Sequence, residues 1–176
     1  MRLISKSVLF CIGISIVVGG YFLYIQRITL DRTVSSRGKM ISGTFDLSQV
    51  RTASEWKKLL TKEQYHIVRE KGTEVPFSGP LNHETRKGTY YSVGCNQAVF
   101  RSEQKYDSGT GWPSFWAPIA PDALVLRQES GVGDSRIEVL DKCGGHLGHL
   151  FNDGPDPTGK RYCMNSLALK FVPDSE

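Results

Sequence analysis

The chain has 176 residues, 39% hydrophobic and 23% charged, which suits one ordinary globular domain with an appendage. Its formal charge is +4, but residues 1–40 hold six basic side chains against Asp31, and the remainder carries 16 basic and 17 acidic groups. That balance leaves no concentrated basic face of the kind nucleic acid requires. The cysteines at 11, 95, 143 and 163 are too few and too scattered for the disulfide framework of a small secreted scaffold, so each needs its own explanation.

A basic start over residues 1–7 precedes "VLFCIGISIVVGGYFLYI", residues 8–25, an uncharged run that would extend about 27 Å as a helix and match the hydrocarbon thickness of a bilayer. Gly19-Gly20 makes a poor cleavage site and the apolar run continues beyond it, so an uncleaved transmembrane anchor is expected in preference to a removed signal. Basic residues flank both ends, and the charge rule does not set the orientation. The order of a short basic start and then an apolar run favours a single-pass protein with its domain on the exported side. Cys11 within the span reads as a small apolar residue, and residues 26–50, rich in Ser, Thr, Arg and Gly, read as a stalk.

The folded domain is expected over 51–173. Thr52 with Glu55 and Thr61 with Gln64 have capping-box spacing, which predicts two short helices with Trp56, Leu59 and Leu60 on one apolar face and Ile67 and Val68 on the next. From Gly88 the runs "GTYYSV", "AVFRS", "ALVLRQ", "SRIEVL" and "SLALKF" read as strands between Gly, Asn, Asp and Pro clusters, and "ESGVGDS", 129–135, as a hairpin loop. The fold is therefore expected to be mainly antiparallel β with small N-terminal helices. In "SLALKF", Leu167, Leu169 and Phe171 would share a face, with Cys163 at the mouth of that strand.

Chemistry-bearing residues crowd into one segment, where Cys143, His146, His149, Asp153, Arg161, Cys163 and Asn165 fall within 23 residues among several glycines. Cys163 then has three readings: a small core residue, a metal ligand, or a nucleophile. Cys143, His146, His149 and Cys163 offer two sulfurs and two nitrogens acceptable to zinc, although not at a common finger spacing. A nucleophile needs thiolate character from a neighbouring cation or donor, and an acid if its target must lose an oxygen. Arg161 and the two histidines meet those needs, and Asp153, four residues beyond His149, offers a carboxylate to fix an imidazole tautomer.

"SGTGWPSFW" at 108–116, "GGHLGHLFNDGP" at 144–155, "RYCMNSLALKF" at 161–171 and "EVPFSG" at 74–79 resemble the type B methionine sulfoxide reductases, a likeness covering about residues 51–173. The resemblance implies an antiparallel two-sheet β-tent fold and reduction of the R epimer of methionine sulfoxide, peptidyl and also free. It implies that Cys163 attacks the sulfoxide sulfur and becomes a sulfenic acid. His149, oriented by Asp153, and His146 would assist protonation, Asn165 would support that network, Arg161 would favour the thiolate, and Trp112 would wall in the substrate methyl. A non-catalytic module of the same fold would not require this set. The family's structural zinc, held by two CxxC pairs, is expected to be absent, because Ser92 and Leu140 stand at two of the four ligand positions. The resemblance brings the surviving Cys95 and Cys143 together, either as a disulfide replacing the metal or as two reduced, buried thiols. Thr110 stands where many members carry the cysteine that resolves the sulfenic acid, so an external thiol reductant, such as a thioredoxin-like protein, is expected to act on Cys163.

Overall fold

The structure is a computed structural model that describes residues 39–129 and 136–175; the expected anchor at 8–25, the first part of the stalk and most of the 129–135 loop lie outside the described residues. Both capping boxes form. The Thr52 hydroxyl accepts from the Glu55 amide and the Glu55 carboxylate accepts from the Thr52 amide, opening α1 (Ala53–Leu59), and Thr61 with Gln64 does the same for α2 (Lys62–Glu70). Such caps are each worth about 1 kcal/mol, which matters in helices of two turns. Trp56, Leu60, Ile67 and Val68 are buried, whereas Leu59 faces out, because the chain turns into Thr61 before a second apolar stripe completes. Lys71 closes α2 in the left-handed conformation at φ 60°. Among the described residues no helix is long and apolar enough to cross a membrane.

The strands are β1 (Lys39–Ser42), β2 (Gly88–Ser92), β3 (Ala98–Arg101), β4 (Lys105–Tyr106), β5 (Ser114–Phe115), β6 (Val125–Gln128), β7 (Ile137–Leu140), β8 (His146–Phe151), β9 (Arg161–Met164) and β10 (Leu169–Pro173). They form a seven-stranded sheet in the order β1-β6-β7-β8-β9-β5-β4 and a three-stranded sheet in the order β10-β2-β3, every pairing antiparallel. Two expectations are corrected here. The stalk does not run to residue 50, because Lys39–Ser42 adds an edge strand to β6 and the Asp46 amide donates to the Lys142 carbonyl. "SLALKF" is not a continuous strand, because Ser166–Ala168 makes a 3-10 turn before β10, and Cys163 lies inside β9 between β5 and β8.

Alternation along the large sheet gives it two different faces. Phe115, Tyr162, Leu150 and Ile137 are directly opposite one another across β5, β9, β8 and β7. Phe115 stacks on Phe100 of β3 with ring centroids 4.2 Å apart and meets Tyr90 of β2 edge-on at 4.9 Å, so this row is the apolar seam between the sheets. Residues one step along each strand must face the other way.

Candidate active site

That opposite row reads Arg127, Glu138, His149, Cys163 and Ser114, across β6, β7, β8, β9 and β5, each in direct register with the next. Directly opposite side chains share a face, with Cβ atoms about 4.5–5.5 Å apart. Cys163 is therefore flanked by an imidazole on one side and a hydroxyl on the other, on strands rather than loops. It is half-buried, and it is the one free cysteine among the described residues.

His146 and His149 are three apart, which in a regular strand would place them on opposite faces. The ladder between β7 and β8 pairs Val139 with Gly148 but Leu140 with His146, so Leu147 is an extra, bulged residue. The bulge restores the parity and brings the two imidazole rings to 5.2 Å, edge to face. Asn165 holds it in place, donating to the Leu147 carbonyl from both its backbone amide, at 2.8 Å, and its side-chain amide, at 3.1 Å. Its side-chain oxygen accepts from the Glu74 amide. Asn165 thus supports the histidines through the backbone of the bulge, not through a bond to either ring.

The histidines take their carboxylate partners from neighbouring strands. His146 is buried, and its Nδ1 lies 3.0 Å from Glu138, which is fully buried and also accepts from Arg127 and from Lys71 Nζ at 2.8 Å. Burial pushes the Glu138 carboxyl up, but the bonds from His146, Lys71 and Arg127 outweigh it and hold it down at about 2. An ionised Glu138 only accepts, so Nδ1 of His146 carries the proton, and the buried Nε2 is left without a hydrogen-bond partner. His149 Nε2 lies 3.2 Å from Glu129, whose other oxygen accepts from the same Lys71. Burial and the neighbouring His146 hold His149 below the usual histidine range, against the opposing pull of Glu129 and Glu138.

The expected bond between Asp153 and His149 does not form. Asp153 instead makes a bidentate pair with Arg161, both contacts at 2.8 Å, and this pairing raises the Arg161 pKa and lowers that of Asp153. The reason is geometric: Asp153 follows the end of β8, and Arg161 at the start of β9 pairs with Phe151, over whose ring its guanidinium sits at 4.3 Å. Arg161 lies two residues from Cys163 on the same face, and a thiolate there adds to the forces keeping it charged. Thr110 Oγ1 stands 3.9 Å from the Cys163 sulfur, and Ser108 links that hydroxyl to Ser114 with contacts of 2.8 Å to each. The half-buried Trp112 donates from Nε1 to the Glu74 carbonyl, which fixes its ring plane. Glu129, Glu138, Lys71 and Arg127 had not been singled out from the sequence. A charged residue at an inward position of an apolar run, as in "SRIEVL" opposite "ALVLRQ", is the signal that marks two of them.

Comparison with known proteins bears directly on this arrangement. Residues 60–173 match the SelR domain. A peptide methionine sulfoxide reductase MsrB of Methanosarcina barkeri is 51% identical over 127 residues, covering 72% of this chain and 89% of that protein. The MsrB of Leptospira interrogans is 53% identical over 118 residues, 66% of this chain and 90% of its own, and that of Pseudomonas fluorescens 50% over 124 residues, 70% and 95%. The chain belongs to the SelR family, the type B methionine sulfoxide reductases. It is accordingly an oxidoreductase.

A four-thiolate zinc site of the SelR family does not fit the residues present. Cys95 and Cys143 are joined in a disulfide with Cα atoms 5.7 Å apart, and the buried Leu140 has no side-chain atom that could ligate a metal. Asp141 lies beside the bridge, with a ligand atom within 4.8 Å of both sulfurs. Its Oδ1 accepts from the Cys143 amide at 3.0 Å and the Gly145 amide at 2.7 Å, while its buried Oδ2 has no hydrogen-bond partner. Of the two states expected for Cys95 and Cys143, the structure has the disulfide.

Proposed function

We propose that the chain reduces the R epimer of methionine sulfoxide in oxidised proteins and peptides, with Cys163 as the reacting residue. The observation that carries this reading is the strand register that sets His149 directly across from Cys163, with a second imidazole 5.2 Å from the first. The Cys163 thiolate attacks the sulfoxide sulfur and a proton reaches the sulfoxide oxygen from the imidazole side. The oxygen ends on Cys163 as a sulfenic acid, and methionine leaves two electrons richer. Glu138, 3.0 Å from His146 Nδ1, and Glu129, 3.2 Å from His149 Nε2, orient the two rings. The aromatic face of Trp112, fixed by its bond to Glu74, suits the substrate methyl.

The sulfenic acid returns to a thiol by reaction with an external dithiol, such as a thioredoxin-like protein, releasing water and a disulfide on the donor. Thr110 at 3.9 Å from the sulfur supports this, since a hydroxyl there cannot resolve the intermediate. The enzyme works without structural zinc, and metal analysis finding one zinc per chain would overturn that part. Residues 8–25 anchor it in a membrane with the catalytic domain on the exported side, a reading supported by their length and lack of charge. Protection of the domain from added protease in intact spheroplasts would sink the orientation. The decisive experiment for the chemistry is turnover of a dabsylated methionine R-sulfoxide with dithiothreitol: the wild type reduces it, Cys163→Ser does not, and a Cys163→Ser protein of wild-type activity would refute the assignment.

A further inference from the structure

Phe77 breaks two rules at once. Its φ is +65°, a region that bulky L residues avoid, and its side chain is 62% exposed, so the strain is not offset by burial of the ring. Val75, two residues earlier, is 70% exposed. The fold nevertheless holds this segment firmly. The Glu74 carboxylate accepts from the Ser166 and Leu167 amides, at 2.5 and 3.0 Å, and the Glu74 amide donates to Asn165. The Ser78 hydroxyl donates to the Val75 carbonyl at 2.6 Å, and the Phe77 amide donates to the Gly111 carbonyl at 2.8 Å. Gly111 itself has φ +92°, and a Cβ built there would lie 2.9 Å from the Phe77 ring, so the glycine is what lets the ring lie against the connection between β4 and β5.

The location gives the rim its meaning. Thr110, next in the chain to Gly111, touches the Cys163 sulfur, and Trp112 on the other side is bonded to Glu74. The exposed ring is thus continuous with the site, within reach of about two to four residues of extended chain running from a methionine sulfoxide held at Cys163. Oxidation makes a buried methionine polar and loosens the core around it. The sequence neighbours of such a methionine are the apolar side chains of that core, now exposed in a loosened segment.

We infer that Val75 and Phe77 form a rigid apolar rim that binds the apolar side chains flanking an oxidised methionine in an unfolded stretch of protein. This rests on the reading of Cys163 as the reacting residue. Preorganisation explains the strain: a ring fixed before the substrate arrives loses no rotamer freedom on binding.

The test uses the full chain and two peptides of equal length with a central methionine R-sulfoxide, one flanked by leucine and valine, the other by serine. Phe77→Gly removes the ring at a φ that glycine accepts, so the backbone is kept, and Phe77→Tyr restores an aromatic surface. The wild type should favour the leucine–valine peptide by about tenfold in kcat/KM, through KM; Phe77→Gly should erase the preference and Phe77→Tyr retain it. Affinities of the same peptides for the Cys163→Ser protein should show the same pattern without turnover. If the wild type reduced neither peptide, the proposed chemistry would fail while these affinities still decided the rim. Equal affinity of the two peptides, an unchanged preference in Phe77→Gly, or proportionate losses on both peptides would overturn it. So would a wild-type dimer or phosphatidylcholine-vesicle binding that Phe77→Gly abolishes, since either gives the rim another occupant.

Discussion

His149 has a carboxylate partner, and which one it is can be measured. Glu129 sits 3.2 Å from its Nε2, while Asp153 is committed to Arg161. The Glu129 bond raises the His149 pKa against burial and His146. In Glu129→Gln that support is lost and the pKa falls further. If the protonated ring delivers the proton to the sulfoxide, the decline of kcat at rising pH should begin at lower pH in this variant, with kcat at pH 7 reduced about tenfold. Asp153→Asn should leave that limb of the pH profile in place; a shift there and none in Glu129→Gln would reinstate Asp153. Asp153 was legible as a candidate because it is close to His149 in sequence, but its partner is set across the strands, and Glu129 is 20 residues from the ring it bonds. Glu138 is the second case. Its folded pKa lies below the ordinary carboxyl value, so its contribution to stability is complete above about pH 4.5 and is lost as pH falls toward 2. Glu138→Gln should cost about 3–5 kcal/mol at pH 7, because Arg127 and Lys71 lose a buried counter-charge. Urea unfolding at a series of pH values should show the gap between variant and wild type closing below pH 4.5; a gap independent of pH would contradict the ionised Glu138.

Among the elements, those whose causes are local were readable. The capping boxes lie within four residues, so α1 and α2 could be placed from Thr52 and Thr61 alone. Strand β1 could not, because what makes Lys39–Ser42 a strand is pairing with β6, more than 80 residues later. The bulge in β8 was equally hidden, since "GGHLGHLF" has the spacing of two histidines on opposite faces until the ladder is shifted at Leu147. Gly148, next to the bulge, packs against the backbone of β9, where an added Cβ would run into the Cys163 carbonyl and lie 2.9 Å from the Met164 Cα. Backbone cannot move aside as a flexible side chain can. Gly148→Ala should therefore push β8 away from β9, costing about 2 kcal/mol or more in stability. Because the displacement falls between His149 and Cys163, kcat should drop about 100-fold even in the folded fraction. Urea unfolding and single-turnover kinetics on one preparation separate the two effects, and a variant as stable and as fast as wild type would show that the glycine is incidental.

At the scale of the molecule, the two sheets are joined by an apolar seam and by one covalent link. Cys95 lies in the turn between β2 and β3 of the small sheet, and Cys143 in the turn between β7 and β8 of the large one, so their disulfide staples the sheets across a separation of 48 residues. A loop of that length removes conformational freedom from the unfolded chain worth about 4 kcal/mol in the loop-entropy model, and measured bridges commonly deliver about 2–4 kcal/mol. For a domain of this size that is a fall in Tm of about 10 °C on reduction. The staple stands apart from the Cys163 row, so turnover with a small thiol should persist in Cys95→Ser/Cys143→Ser at temperatures where the domain remains folded. Calorimetry on the oxidised wild type, the reduced wild type and the double variant tests both halves. Matching Tm values for the last two, well below the first, are expected. An unchanged Tm would mean that the seam alone carries the sheet-to-sheet contact. Loss of turnover with a thioredoxin-like donor but not with dithiothreitol would mean that the bridge relays electrons to Cys163 as well as joining the sheets.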